Sequence, residues 1–380
     1  MTLPLRVLLV APRGWPATGG IERHLEDLAA GLAERSVEVT LAVTDPTGRL
    51  PRRDRHGGFD ILRFPTLRGN ATFYVSPALG RWLIGHADGY DVIHGHSYHT
   101  PIAVSAAIAA RLARRPLVIT PHYHGTGHTR GRAWLHRPYR PLGGWMLRQA
   151  RKVIAVSSVE EALLRADFGA SLPTTVIPHG VDVAAIQAAD SFAEEQGDLI
   201  VTGGRLEPYK QVDRVIATLV ELPTTWRLVV TGDGPARTDL EALSRRLGLG
   251  DRCRFVGWVS DADLRRWYRT ASVFVSLSRH EAFGLTALES AAAGASVVLS
   301  AIPAHREVAR SIPAERVVTV EPDSTPSIIA ERLMAISRAG GSVGGAAWTP
   351  PSLETMVEKT LDLYRKILEP RAPGISRSAP

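Results

Sequence analysis

The chain has 380 residues, enough for two domains, and its 44% hydrophobic and 22% charged residues are ordinary for a soluble globular protein. Its single cysteine, Cys253, excludes an internal disulfide and a cysteine-based zinc site, and no apolar stretch reaches the about 18 residues that span a bilayer. The net charge is +7, but no recognised nucleic-acid-binding motif accompanies it, so we expect no nucleic-acid partner.

The first half of the chain alternates short apolar runs with helical patterns, which predicts a parallel α/β sheet. Residues 3–11 form too short an apolar run for a signal peptide and are interpreted as the first strand, so we expect a cytoplasmic protein. A helix is predicted over 21–35, and the stretch 125–141, rich in Gly, Arg and Pro, is predicted to be a loop or a mobile excursion. The strands are predicted over 5–11, 37–43, 91–94, 117–120 and 152–156.

A second α/β series follows. Its strands are predicted over 199–202, 227–231, 253–256, 272–276 and 296–299, with helices over 211–222 and 235–247 between them. Ser260 is interpreted as the N-cap of another helix, with Asp263 three positions on. The alternative is that Asp261 and Asp263 belong to a metal motif.

The two series predict two domains, joined after the segment 178–182. We expect a first Rossmann-like domain over 1–188, a second over 189–352, a C-terminal helix over 353–370 that packs back towards the first domain, and a flexible tail over 371–380. The fold class is therefore α/β, with two doubly wound domains that face each other across a cleft at the carboxyl ends of both sheets.

Two cations follow the first strand of the second series. Arg205 comes shortly after this strand, and Lys210 directly precedes a helix. Arg can grip phosphate oxygens with its planar fork, whereas Lys supplies a compact charge beside the positive end of the helix dipole. The pair therefore suits a departing diphosphate. The alternative is two surface cations without a common role.

Glu281 and Glu289 are eight residues apart, a rise of about 12 Å on one helix. They cannot bind the same hydroxyl, but they can hold opposite ends of an elongated ligand such as a nucleotide sugar. Phe283, Gly284 and Leu285 between them are expected to form the turn into the helix, with free backbone N–H groups facing the ligand. Two glutamates at this spacing are also common on ordinary helices.

Gly19 and Gly20 stand where the first strand turns into a helix. Glycines allow a phosphate to approach the backbone, and the helix start presents N–H donors. The pair does not form the G-x-G-x-x-G fingerprint of dinucleotide enzymes, which argues against a dehydrogenase. A simple tight turn is the alternative interpretation.

His122 follows a strand of the first domain, so its side chain is expected to reach the cleft; the alternative is a hydrogen-bonded structural histidine. Clustered histidines also raise the possibility of a metal site, but no H-E-x-x-H or comparable ligand set is present, and we expect no metal. The other histidines close to His122 in sequence are His94, His96, His99, His124 and His128.

Residues 92–159 contain no Asp or Glu but ten Arg and Lys residues and seven of the thirteen histidines. Such a basic segment attracts anionic lipid or a phosphate-bearing acceptor, which would place the protein peripherally at the inner face of a membrane. The alternative is a solvated face with no specific partner.

The order and spacing of Arg205, Lys210, Glu281 and Glu289 resemble those of the retaining glycosyltransferases of family 4, which have the two-domain GT-B fold. The resemblance covers nearly the whole chain and is supported by the segments 178–182, 232–235 and 255–259. His179 departs from the pattern, because the family usually has Asn at this position.

The resemblance implies roles for individual residues. Gly20, Arg205 and Lys210 would hold the diphosphate, and His122 would lie beside the anomeric centre. Glu281 would bind donor-sugar hydroxyls together with the backbone of Phe283, Gly284 and Leu285. Glu289 would bind the ribose. The base would be held by Val256, Trp258 and Val259.

The resemblance predicts a retaining, metal-independent hexosyltransferase. The donor would be a UDP- or GDP-sugar carrying a hexose of the mannose, glucose or GlcNAc type, and the acceptor a hydroxyl of a glycan, lipid-linked or phosphorylated molecule. Two alternatives are a catalytically inactive nucleotide-sugar-binding protein with the same fold and a non-hydrolysing sugar-nucleotide epimerase. The epimerase does not account for the set of Arg205, Lys210, Glu281 and Glu289.

Overall fold

The computed structural model describes residues 3–17, 19–67, 74–125, 130–193, 195, 197–281, 283–339 and 348–369, with only the backbone described for 130–137 and 338–339. The predicted tail 371–380 lies outside these residues. None of the helices in the described part of the chain is both long and apolar enough to cross a membrane.

An eight-stranded sheet forms the first domain, in the order β3-β4-β2-β1-β5-β6-β7-β8, and all neighbours are parallel except β3 and β4. Its strands are β1 (Arg6–Val10), β2 (Glu38–Asp45), β3 (Arg53–His56), β4 (Phe59–Pro65), β5 (Val92–His96), β6 (Leu117–Thr120), β7 (Lys152–Ala155) and β8 (Thr174–Val176). The helices of this half are α1 (Gly20–Glu34), α2 (Pro77–His86), α3 (Pro101–Leu112), α4 (Arg130–Gln149), α5 (Ser158–Phe168) and α6 (Val183–Gln187).

A six-stranded, fully parallel sheet forms the second domain, in the order β11-β10-β9-β12-β13-β14. Its strands are β9 (Leu199–Gly203), β10 (Arg227–Thr231), β11 (Cys253–Gly257), β12 (Val273–Ser276), β13 (Ser296–Ser300) and β14 (Val317–Val320). The helices are α7 (Val212–Val220), α8 (Arg237–Arg246), α9 (Asp261–Thr270), α10 (Leu285–Ala292), α11 (Pro303–Ser311), α12 (Pro326–Ala339) and α13 (Leu353–Leu368).

Both sheets are covered on both faces, which explains why their central strands are continuous apolar runs. Successive side chains of a strand point to opposite faces. In β1, Leu8 and Val10 pack into one hydrophobic cluster, and Val7 and Leu9 into another on the other face. The prediction of two parallel α/β domains is confirmed.

Two segments cross between the domains, and they are paired with each other. Val181 N–H donates to Pro351 O at 2.8 Å, and Leu353 N–H donates to Val181 O at 3.0 Å. A Cβ at Gly180 would lie 2.4 Å from Cα of Leu353, so only glycine allows this approach. After the crossing, α13 packs its Val357, Leu361 and Tyr364 into the hydrophobic cluster formed by α1 and the first sheet.

The prediction of a loop over 125–141 was wrong for the described part of this stretch, where α4 begins at Arg130 and contains Pro138 and Pro141. Tertiary packing outweighs the low helix propensity of proline here. Met146 and Leu147 of α4 are fully buried, and the Tyr139 hydroxyl donates to Tyr98 O at 2.7 Å.

The other elements predicted from sequence are present, and their ends differ from the prediction by no more than three residues. The Ser260 side chain accepts from Asp263 N–H, so the prediction of an N-cap for α9 is confirmed. Sequence analysis did not identify β3, β4, β8 and β14.

Candidate functional site

A partly buried ion pair joins the two loops that leave the centre of the second sheet. Lys210 lies in a short 3-10 helix after β9, and Glu281 lies in the loop between β12 and α10. Lys210 Nζ is 2.6 Å from Glu281 Oε1, and their side chains are 20% and 16% exposed. The Ser278 hydroxyl donates to the same Oε1 at 2.8 Å. The carboxylate is thus fixed by two donors, and its other oxygen can accept from a ligand.

Both members of this pair stay charged near neutral pH. Burial alone would raise the pKa of Glu281, but Lys210, His305 and the Ser278 hydrogen bond outweigh it and lower the pKa. Burial alone would lower the pKa of Lys210, but Glu281 outweighs it and raises the pKa. The result is a fixed cation beside a fixed carboxylate.

Close backbone approaches hold the Lys210 loop in place. A Cβ at Gly232 would lie 2.0 Å from Gly204 O, and one at Gly234 would lie 2.4 Å from Leu206 O. Leu206 N–H donates to Asp233 O at 2.9 Å. The glycines of the segment 232–235 therefore allow the loop after β10 to support the loop after β9.

Arg205 lies near this pair in sequence but makes a different contact. Its side chain is 66% exposed, and its Nε is 2.9 Å from Oε1 of Glu207. Within the described residues, no hydrogen bond or ion pair joins Arg205 to Lys210 or Glu281. The exposed guanidinium retains donors that an anionic ligand can use.

The helix α10 begins at Leu285, has Gly284 as its N-cap and contains Glu289. Phe283, Gly284 and Leu285 therefore form the turn into this helix, as predicted. Gly284 is the N-cap with φ of 106°, a conformation that favours glycine. The side chain of His305 is next to this turn, with its Cδ2 3.4 Å from where a Cβ of residue 284 would be.

Glu289 contacts the other domain rather than Lys210 or Glu281. Its Oε1 is 3.2 Å from NH1 of Arg23 on α1, and the two side chains are 5% and 17% exposed. Burial raises the pKa of Glu289 although Arg23 acts in the opposite direction. This ion pair connects α1 of the first domain to α10 of the second domain.

The predicted base pocket lies at the end of β11. Val256 and Val259 are half-buried, whereas Trp258 is 62% exposed. An exposed indole next to two partly buried apolar side chains offers a flat surface on which a base can stack.

Gly19 and Gly20 are exposed at the start of α1. The Glu22 side chain folds back over this turn, with Oε2 2.3 Å from where a Cβ of Gly19 would be, and Oε1 2.6 Å from NH2 of Arg13. A carboxylate that is itself paired therefore lies next to Gly19, whereas Gly20 has no neighbour within 4 Å of where its Cβ would be.

His122 belongs to a buried group of four histidines, which we call the histidine cluster and which comprises His24, His96, His122 and His179. Nε2 of His122 has no hydrogen-bond partner among the described residues, so the alternative of a hydrogen-bonded structural histidine is not supported for this atom. The ring of His179 is 5.3 Å from that of Phe283, which links the cluster to the second domain.

Sequence analysis missed several polar residues of these two regions. Arg23 and His24 come three and four residues after Gly20, Ser278 precedes Glu281 by three residues, and His305 lies on α11. Their neighbour His179 was the one residue of this group that the sequence marked, because the family usually has Asn at its position. The others became visible through contacts between elements that are far apart in sequence.

Family comparisons cover most of the chain. Residues 18–185 match the model described as Glycosyltransferase Family 4, and residues 185–335 match the one described as Glycosyl transferases group 1. Among similar proteins, the GDP-mannose:cellobiosyl-diphosphopolyprenol alpha-mannosyltransferase of Komagataeibacter xylinus is 28% identical over 311 residues, 78% of this chain and 76% of that protein. The phosphatidyl-myo-inositol mannosyltransferase of Mycolicibacterium smegmatis is 29% identical over 334 residues, 83% of this chain and 81% of that protein.

Solved structures show the same fold. Sucrose-phosphate synthase from Thermosynechococcus elongatus has a TM-score of 0.79 at 21% identity, covering 96% of this chain and 99% of that one. HepE from Anabaena in complex with UDP and glucose has a TM-score of 0.76 at 18% identity, covering 95% of this chain and 100% of that one.

Proposed function

The chain belongs to the group 1 glycosyltransferases of family 4, which have the GT-B fold, and we propose that it transfers a hexose with retention of the anomeric configuration. It is a hexosyltransferase that uses a nucleotide sugar. We also propose which residues bind the donor, and the chemical class of the donor and of the acceptor.

The observation that carries the proposal is the ion pair between Lys210 and Glu281. Lys210 supplies a fixed positive charge where the donor's diphosphate departs, and the exposed guanidinium of Arg205 adds a second. Preorganised charges of this kind stabilise a leaving anion without reorganisation during the reaction. Glu281 binds hydroxyls of the donor sugar, together with the backbone of Phe283, Gly284 and Leu285.

The remaining predicted residues complete the donor site. Glu289 binds the ribose after Arg23 moves away from it, and Gly19 and Gly20 approach the diphosphate. Val256, Trp258 and Val259 hold the base. His122 lies at the sugar end, where the first domain supplies the acceptor. Transfer needs no metal ion, because the cations of the protein balance the diphosphate.

The donor is a UDP- or GDP-sugar, and the acceptor is a lipid-linked or phosphorylated glycan or polyol. The relative from K. xylinus uses GDP-mannose and a diphosphopolyprenol acceptor, according to its name, and the one from M. smegmatis acts on phosphatidyl-myo-inositol. The solved neighbour HepE binds UDP and glucose.

A thermal-shift screen with UDP-, GDP-, ADP- and dTDP-sugars tests the donor site. A ligand at 100 times its Kd stabilises a protein by about 2.7 kcal/mol, which raises the Tm measurably. We expect one nucleotide class to raise the Tm of the wild type, and to raise that of Lys210→Ala much less. An equal shift in both proteins would show that Lys210 does not contact the donor.

Product analysis tests the reaction. The chain is incubated with the donor found in the screen and with a lipid extract or an inositol phosphate, and the anomeric configuration of the product is read by NMR. We expect release of the nucleoside diphosphate and a product with the configuration of the donor. A product of opposite configuration contradicts retention, and nucleotide binding without any transfer favours the inactive binding protein.

The basic segment 92–159 is the part that we propose brings the enzyme to an anionic membrane from the cytoplasmic side. Replacing Arg130, Arg132 and Arg137 by Gln is expected to weaken sedimentation with phosphatidylglycerol vesicles. Arg140 is left unchanged, because it pairs with Asp167 at 2.8 Å. As a control, Arg245 and Arg246, exposed on α8, are replaced by Gln. Equal sedimentation of both variants contradicts membrane binding through this segment.

A further inference from the structure

Three imidazoles from distant parts of the chain meet inside the first domain. His24 lies on α1, His96 ends β5, and His122 follows β6 by two residues. They are 7%, 0% and 5% exposed, and one nitrogen of each lies within 4.8 Å of the others. We propose that His24, His96 and His122 bind one transition-metal ion of the Zn²⁺ type.

Three ring nitrogens of this group lack hydrogen-bond partners among the described residues. Both ring nitrogens of His96 and Nε2 of His122 have no hydrogen-bond partner among the described residues. Leaving a buried polar atom unsatisfied costs about 1–3 kcal/mol, so three such atoms at one point need a reason. The neighbouring His94 shows the contrast, because its Nδ1 pairs with the Tyr364 hydroxyl at 2.6 Å and its Nε2 with the Thr120 hydroxyl at 2.8 Å.

The ring positions fit one ion. The centroids of the three rings are 5.7, 5.5 and 5.8 Å apart for the pairs His24–His96, His24–His122 and His96–His122. Three imidazoles on a tetrahedral Zn²⁺ with Zn–N bonds of about 2.05 Å would place their centroids about 5.2 Å apart. Small rotations of the side chains are therefore enough to close the site.

His179 holds one of the ligands in orientation. Its Nδ1 is 2.9 Å from Nδ1 of His24, so one of these nitrogens donates a hydrogen bond and the other accepts it. Metal-binding histidines usually donate their second ring N–H to a nearby acceptor. With the proton on Nδ1 of His24, the Nε2 of His24 is free for the ion.

Chemistry selects the class of ion. Imidazole ligands suit Zn²⁺, Co²⁺, Ni²⁺ and Cu²⁺, whereas Mg²⁺ and Ca²⁺ prefer oxygen. Burial lowers the pKa of all three histidines, so they are neutral and their lone pairs are available at neutral pH. Three protein ligands leave a fourth position for water or a ligand hydroxyl.

Binding is measured on the full-length, untagged chain after treatment with EDTA. Co²⁺ is titrated and followed by its visible absorption, and Zn²⁺ is titrated by calorimetry. We expect one ion per chain and the intense visible bands of a tetrahedral Co²⁺ site. Neither readout depends on glycosyl transfer, so a failure here is distinct from a failure of the proposed function.

Variants test each part of the site. His96→Asn removes a ligand and is expected to weaken Zn²⁺ binding at least about 100-fold, since losing an outer partner alone costs about 10–100-fold. His179→Leu removes that outer partner, because leucine has no hydrogen-bonding atom, and is expected to fall in the 10–100-fold range. His86→Ala, at an exposed histidine on α2, is the matched control and is expected to bind as the wild type does.

The outcomes separate clearly. Absence of stoichiometric binding by the wild type overturns the proposal, and so does equal affinity of the wild type, His96→Asn and His179→Leu. A melting curve in EDTA shows whether His96→Asn is folded, and the affinity of His179→Leu decides the matter if it is not. If the proposed function also holds, Zn²⁺ should inhibit transfer, because it occupies His122.

Discussion

The Lys210–Glu281 pair and the histidine cluster differ in how their polar groups are partnered. The pair joins two opposite charges at 2.6 Å, and each member holds the other in its charged form. The cluster brings together like groups, which burial keeps neutral and which leave nitrogens open. The second domain thus presents fixed charge before a ligand arrives, whereas the first presents open ligand atoms that something else must complete.

The largest expected effect tests the charged side of this comparison. Lys210→Ala removes the fixed cation that stabilises the leaving diphosphate, and we expect kcat to fall about 100- to 1,000-fold, the cost of losing one such donor. Turnover is measured by release of the nucleoside diphosphate. Lys359→Ala, at an exposed lysine of α13, is the matched control. Turnover near that of the wild type would remove Lys210 from the mechanism.

The second prediction concerns the ion pair that connects the two regions. Arg23→Gln leaves the carboxylate of Glu289, which is 5% exposed, without its cation. We expect the free energy of unfolding in urea to fall by about 3 kcal/mol. The matched control is Arg35→Gln at the C-cap of the same helix, whose partners Glu354 and Glu358 are exposed, with an expected change of at most about 1 kcal/mol. An equal loss of unfolding free energy in both variants would show that the cross-domain ion pair stabilises the fold no more than an exposed one.

The third prediction uses pH. The pKa of Glu281 is lower in the folded chain than its ordinary 4.5, so its ion pair stabilises the fold above pH 4.5 and this contribution is lost as the pH falls through the folded pKa. We expect the stability difference between the wild type and Glu281→Gln to narrow below pH 4.5. Urea unfolding at pH 7, 5, 4 and 3 measures it. A difference that stays constant with pH contradicts the lowered pKa.

The smallest expected effect is on the support of the histidine side. Tyr139 of α4 donates to Tyr98 O at 2.7 Å, two residues after His96. Tyr139→Phe removes only this hydroxyl, and we expect a loss of about 1 kcal/mol in the free energy of unfolding. Metal affinity and turnover are expected to stay within about twofold. A loss above about 3 kcal/mol would show that α4 is a larger part of the core than its hydrogen bonds indicate.

Local patterns in the sequence were sufficient for most of the architecture. Short apolar runs alternating with helical patterns predicted the central strands, because a strand covered on both faces is apolar throughout. Ser260 predicted its helix start through its own cap. The loop prediction was wrong from Arg130 onwards, because the packing of Met146, Leu147 and Tyr139 outweighs the prolines of α4.

What the sequence determined by itself is the set of charged residues and the order in which they occur, from Arg205 to Glu289, because these are read from types and spacing alone. Which of them touch was decided only by the tertiary structure. It joined Lys210 to Glu281, turned Glu289 towards Arg23, and brought His24 to His96 and His122. The reason is physical: the partner of a buried polar group is whatever the fold places beside it, and that is set by packing between distant elements.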